Sequence, residues 1–201
     1  MKTLADTPVT DLQARAVALW HTGKEFRGES DFASLVLAQH RFNYELWHQE
    51  DEARRKDVPD GVIAGVKRAI DGLNQQRNDA IERIDDFLLA TLRKQGVKPR
   101  AKAKRNSETP GSIIDRLSIL ALRIFHMTGE AGRRDADEAH KRKCRDKLVI
   151  LEEQKKDLSK CLKELLGDIV AGKKRLKVYR QFKMYNDPAL NPAVYGKKRT
   201  D

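Results

Sequence analysis

Apolar side chains recur every three to four residues along most of this chain, and the caps and breakers between the runs divide it into five predicted helices. The first covers about residues 11–22, with Thr10 and Gln13 at capping-box spacing. The second covers about 31–57 and stops before Pro59, where the third begins and runs to about 95, just before Gly96. Thr109 and Pro110 supply an N-cap and a first-turn proline for the fourth, which ends near Gly129. The fifth runs from about 135 to 171 and closes at Gly172. Its apolar positions alternate steps of four and three through Cys144, Leu148, Leu151, Leu158, Leu162, Leu165 and Ile169, with Lys155 the one interruption, which is a coiled-coil-like seam. The fourth is apolar nearly all round, from Ile113 to Phe125, and is therefore expected at the centre. The fold class is all-α: an antiparallel bundle of about five helices, with helices 2, 3 and 5 around helix 4. Residues 1–172 form the bundle, with a basic linker at 93–108 inside it. Residues 173–201 form a basic aromatic tail packing on it, irregular through "YRQFKMYNDPALNPAVYG" with its two Asn/Asp/Pro turn signals.

The polar positions sharpen this picture. At 100° per residue, the apolar positions of helix 3 fill an arc of about 120°, and Asp71, Asn74, Asn78, Glu82 and Asp85 fall on its flank. Arg77 points into the middle of the apolar arc and so needs a carboxylate or several carbonyls. On helix 2, Gln39, Asn43, Glu50 and Arg54 share the arc of Phe32, Leu46 and Trp47, with His40 and Asp51 at its edge, which makes Glu50 the expected partner of Arg77. Polar residues turned inward on two neighbouring helices are either a network that fixes register or the lining of a ligand site.

Composition excludes some classes and locates the charge. Charged residues make up 35% and aromatics 6% of the 201 residues, a profile of long amphipathic helices. Cys144 and Cys161 lie 17 positions apart in one helix, about 25 Å of rise, so they do not bond to each other. The first twenty residues hold no apolar run of signal-peptide length, and "SIIDRLSILALRIF" is interrupted by Asp115, Arg116 and Arg123. The expectation is a cytoplasmic protein with no membrane span. The net charge of +11 is concentrated in residues 93–107 and 173–201, each carrying +7, which favours an anionic partner.

Sharper motifs mostly fail on geometry. Glu45 and His48 have the E-x-x-H spacing of di-iron bundles, but fall on the solvent side of helix 2, and no second copy exists. Glu82 and Asp85 form an E-x-x-D without a matching E-x-x-E. His140 and Cys144 lie one turn apart with no third or fourth ligand, so no metal site is assigned. Asp115 and His126 are some 16 Å apart by helix rise and do not act as a pair. At "KRNSETPGS", the free amides after Thr109, kept uncrowded by Gly111 and Ser112, follow a run of lysines and arginines and would suit a phosphate. Tyr179, Phe182 and Tyr185 interleave with Lys177, Arg180 and Lys183, a pattern compatible with stacking on bases or sugars.

The stretches "RFNYELWHQEDEAR", "KRAIDGLNQQRNDAIERID", "ETPGSIIDRLSILALRIFHM" and "YRQFKMYNDPALNP" resemble an uncharacterised bacterial family defined only as a domain of unknown function. They span most of residues 40–195, and the lysine-rich linker is the one local departure. Such families are often encoded beside cell-envelope glycosyltransferases, so the resemblance implies a role with glycans or sugar phosphates, and it carries over no catalytic residue and no cofactor. The leading expectation is a helical bundle that binds an anionic ligand or partner, a sugar phosphate or phosphoglycan. Its candidate residues are Asn43, Glu50, Arg54, Asp71, Asn74, Arg77, Asn78, Glu82, Asp85, Thr109, Gly111 and Ser112. One rival is a metal-dependent hydrolase or transferase acting on a nucleotide or sugar phosphate through Glu50, Asp71, Glu82 and Asp85. Another is nucleic-acid binding through the linker and tail. The remaining face of helix 5 leaves a homo-oligomer open.

Overall fold

The structure is a computed structural model that describes residues 8–184 and 187–196. It is all-α, in the element order α1 (Val9–Trp20), α2 (Asp31–Glu52), α3 (Asp60–Lys94), α4 (Pro110–Ala131), α5 (Glu138–Val170) and a single turn, α6 (Pro192–Tyr195), with no strand among the described residues. Helix α4 packs against α1, α2, α3 and α5, and α2 lies along α3. Short connections make the neighbours antiparallel: Phe32 near the start of α2 meets Phe87 near the end of α3, and His140 at the start of α5 reaches Glu130 at the end of α4.

Local chemistry sets the boundaries. Ser30, Thr109 and Asp137 each accept a backbone N–H three residues on, from Ala33, Ser112 and His140, satisfying an amide that the first helical turn leaves free. Gly96 and Gly172 adopt φ of 68° and 69°, so the chain turns left-handed and the next N–H reaches back to Leu92 and Asp168 respectively. Two boundaries differ from the sequence expectation. α1 begins at Val9 after Pro8 with no side-chain cap, because Gln13 is wholly buried and donates to the Ile114 carbonyl (3.1 Å) instead of closing a capping box with Thr10. α2 ends at Glu52 and not near residue 57, where Arg55 forks onto Glu52 and Asp57 and holds the chain in a turn. The C-terminal stretch read as irregular contains α6, whose Asn191 side chain caps Ala193 N (3.0 Å).

The core runs along α4. Ile113, Ile114 and Leu117 meet Ile84, Leu88 and Leu92 of α3, Val36 and Phe32 of α2, and Leu162, Leu165 and Ile169 of α5. On α5, Cys144, Leu162, Leu165 and Ile169 of the expected seam are buried, Leu148, Leu151, Lys155 and Leu158 are half-buried, and Leu166, off the seam, is buried with them. Val149 and Ile150 are exposed. No helix among the described residues is long and apolar enough to cross a membrane.

Candidate functional site

Six buried polar side chains interrupt the apolar interior where α1, α2 and α4 meet: Gln13, Gln39, His40, Asn43, Asp115 and Ser118. Asp115 Oδ1 accepts from Gln39 Nε2 (2.6 Å) and from Asn43 Nδ2 (2.8 Å), and Asn43 Nδ2 also lies 2.9 Å from Ser118 Oγ. His40 Nε2 faces the Gln13 carbonyl at 3.1 Å; a carbonyl only accepts, so the proton sits on Nε2 and Nδ1 accepts from the Ser118 hydroxyl (2.6 Å). The imidazole is thus held neutral, and burial pushes its pKa down to about 4, against the smaller upward pull of the Gln13 carbonyl. Burial likewise raises Asp115, opposed by Arg77, Asn43 and Gln39.

Asp115 links this network to α3. Arg77 Nε lies 3.6 Å from Asp115 Oδ1, replacing the expected Glu50 pairing. Glu50 is half-exposed at the end of α2 and is taken by Arg54, four residues on in the turn that follows the helix (2.8 Å). Because Asp115 Oδ1 already serves two amides, the guanidinium stays at ion-pair distance, and Arg77 Nε is buried with no hydrogen-bond acceptor among the described residues.

Arg77 forms one wall of a cleft of about 490 Å³ between α2, α3 and α4. Asn43, Glu50 and Asp51 line it from α2, Arg54 from the turn after α2, Asn74 and Arg77 from α3, and Arg123 from α4, over apolar contacts from Leu46, Trp47, Ile119 and Leu122. Trp47 is set by a parallel stack on His126, with ring centroids 4.4 Å apart. Five of the candidate residues therefore come together here, Asn43, Glu50, Arg54, Asn74 and Arg77, and Arg123 joins them unforeseen.

The other candidates lie elsewhere. Asp71 pairs with Lys67 on the outer side of α3, and Asn78 is buried. Glu82 accepts from Arg180 Nη1 and from the Gln181 N–H, both at 2.8 Å, so the tail covers it. Asp85 is buried and places Oδ1 2.8 Å from Gly111 N at the start of α4. The amides expected to hold a phosphate at Thr109, Gly111 and Ser112 are therefore served from within the protein: Asp85 takes Gly111 N–H and the Thr109 hydroxyl takes Ser112 N–H. Gly111 is required for this approach, since a Cβ there would lie 2.7 Å from the Ile81 carbonyl. Burial raises the Asp85 pKa to about 6, with the Thr109 hydroxyl and Gly111 N–H pulling it back. Glu50, Asp71, Glu82 and Asp85 thus do not converge as the hydrolase reading needs, and no group of three or more His, Cys, Asp or Glu among the described residues is arranged to hold a metal ion.

A second cluster was missed in the sequence. His48 turns not to solvent but toward His21 at the end of α1 and His126 of α4, with ring centroids 5.3 and 6.2 Å away and Tyr44 alongside at 4.6 Å. Burial lowers the pKa of His48 and of His126, and the neighbouring imidazoles add to it. Glu45, the other half of the E-x-x-H spacing, pairs with Arg41. His140 Nε2 contacts Glu130 (2.9 Å) and lies 3.5 Å from Cys144 Sγ. Tyr185, the third tail aromatic, lies outside the described residues.

A family model described as "Protein of unknown function (DUF4254)" matches residues 33–178, a span that takes in α3 to α5, α2 from Ala33 on, and every wall of the cleft. No curated protein and no solved structure matches the chain.

Proposed function

The chain belongs to the DUF4254 family, and on that footing we propose that it binds a small anionic ligand bearing hydroxyl groups, a sugar phosphate, in the cleft between α2, α3 and α4. The observation that carries this reading is Arg77: a guanidinium in the wall of a cleft, only partly compensated by Asp115 and without a hydrogen-bond acceptor at Nε among the described residues. Arg123 supplies a second guanidinium for the phosphate, a pairing suited to planar bidentate recognition. Asn74 and Asp51 present an amide and a carboxylate that bind hydroxyls, and Trp47 offers an apolar wall for a sugar's C–H face. The size of the cleft falls within the range of small-ligand sites, roughly 300–1,000 Å³. A sugar phosphate also fits the envelope-glycan setting that the family resemblance implies.

A thermal-shift screen of sugar phosphates, nucleotide sugars and the unphosphorylated sugars tests the reading. A ligand that binds only the native state raises the melting temperature by mass action. At least one phosphorylated sugar is expected to do so in the wild type and to lose the effect in Arg123→Glu, a variant on the exposed rim that leaves the core intact. Equal shifts in both proteins, or none from any phosphorylated sugar, contradict it.

A further inference from the structure

The linker after α3 and the tail after α5 are remote in sequence and adjacent in the fold. Arg100 N donates to the Gly172 carbonyl (2.9 Å), Lys104 N to the Lys173 carbonyl (3.1 Å) and Arg175 N to the Lys104 carbonyl (2.9 Å), which joins the segments through a parallel bridge at Lys104 and Lys174. Lys174 Nζ adds a bond to Asn106 Oδ1 (3.1 Å). Only glycine admits so close a crossing, because a Cβ on Gly172 would lie 2.8 Å from the Lys98 carbonyl. The two basic stretches thus become one surface.

From Lys173 onward the tail alternates. Leu176 packs against the core and Val178 is half-buried, whereas Lys173, Arg175, Lys177 and Tyr179 are exposed. At about 3.3 Å per extended residue, successive outward side chains stand about 7 Å apart. Lys98, Arg100, Lys102 and Arg105 are exposed on the adjoining linker. Arg180 anchors the far end by spanning Glu82 and Asp86, and beyond it Phe182 is 84% exposed. Lys177 Nζ stands 5.5 Å over the Tyr179 ring. Lys173 pairs with Asp168, but no carboxylate among the described residues pairs with Arg100, Lys102, Arg175 or Lys177.

We propose that linker and tail together form a track for a single-stranded nucleic acid, with phosphates along the row of cations and bases stacked on Tyr179 and Phe182. A narrow row of regularly spaced cations matches a linear polyanion, and its salt-dependent affinity follows from counterion release. The rings favour a single strand, since a duplex offers no open base faces to stack on. Lys177 over the Tyr179 ring interleaves cation and ring along one line, the spacing that a strand of alternating phosphates and bases requires.

Fluorescence anisotropy on the full chain tests this, using a labelled single-stranded oligonucleotide, the matching duplex and, by flotation, phosphatidylglycerol vesicles. The expected result is single-strand binding on the order of micromolar that weakens steeply with added salt. Arg100→Glu/Arg175→Glu/Lys177→Glu should weaken it about tenfold or more, whereas Arg142→Glu/Lys143→Glu/Lys156→Glu, the same charge change on exposed positions of α5, should alter it less than about threefold. Tyr179→Ala/Phe182→Ala should weaken single-strand binding several-fold while leaving the salt dependence in place. Absent single-strand binding, equal loss in the two charge variants, preference for the duplex, or capture by vesicles without oligonucleotide binding would each overturn the proposal.

Discussion

Asp115 is the residue at which the polar interior and the cleft meet: it takes two amides from α2 and faces Arg77 of α3. Asp115→Ala removes the acceptor and leaves Gln39 Nε2 buried without a partner, so it should cost roughly 3 kcal/mol in urea unfolding. Arg77→Ala should cost less, on the order of 1–2 kcal/mol, because the guanidinium is part-exposed and sits at 3.6 Å from its carboxylate. Titration gives two opposed contributions. His40, with its folded pKa depressed to about 4, contributes stability that is present above about 6.5 and lost as pH falls toward 4, about 3 kcal/mol at full extent. Asp85, raised from 3.8 to about 6, does the reverse: its stabilisation is complete below about 3.8 and lost as pH rises through 6. The two nearly cancel between pH 4 and 6.5. Asp85→Asn should therefore unmask a steeper loss of stability on acidification than the wild type shows, and pH-dependent melting curves that superimpose for the two proteins would contradict this assignment.

Among the elements, α4 and α5 respond to different changes. Gly111→Ala drives a methyl into the Ile81 carbonyl and should destabilise by about 1–3 kcal/mol through displacement of the α4 start. On α5, Leu165→Ala should cost roughly 3 kcal/mol, whereas Leu151→Ala, on the half-buried part of the same seam, should cost clearly less. Helix order and type were legible in the sequence because periodicity, Thr109, Pro110, Gly96 and Gly172 all act locally. The partner of Arg77 was not. A helical wheel ranks residues around one axis and says nothing of which neighbour lies opposite, so the wheels of α2 and α3 lead to Glu50 and do not bring Asp115 on α4 into view. One signal was present: a lone acid between Ile114 and Leu117 in a helix apolar nearly all round is a carboxylate that the interior must satisfy. The His21, His48 and His126 cluster escaped because it joins three helices, two of the residues lying near helix ends.

At the scale of the whole molecule, the joined linker and tail make one basic surface, and Arg54, Arg77 and Arg123 bring further cations to the cleft. The flank of α3 read as one polar row is divided in the structure: Asn74 and Arg77 open into the cleft, Glu82 is covered by the tail, and Asp85 caps α4. Net charge alone indicated an anionic partner, and only the fold could show that the linker and tail adjoin each other while the cleft lies elsewhere between α2, α3 and α4. Exposed Val149 and Ile150 on α5 keep self-association as a further reading, which sedimentation of the wild type against Ile150→Glu would address, a lower mass for the variant being the expected sign of pairing there. The most direct measurement for the cleft is a nitrogen-detected NMR titration of the arginine side chains with glucose 1-phosphate and, separately, glucose. The account predicts saturable shifts of the Arg77 and Arg123 guanidinium resonances with the phosphate and none with the free sugar; guanidinium resonances that stay fixed through the phosphate titration would contradict it.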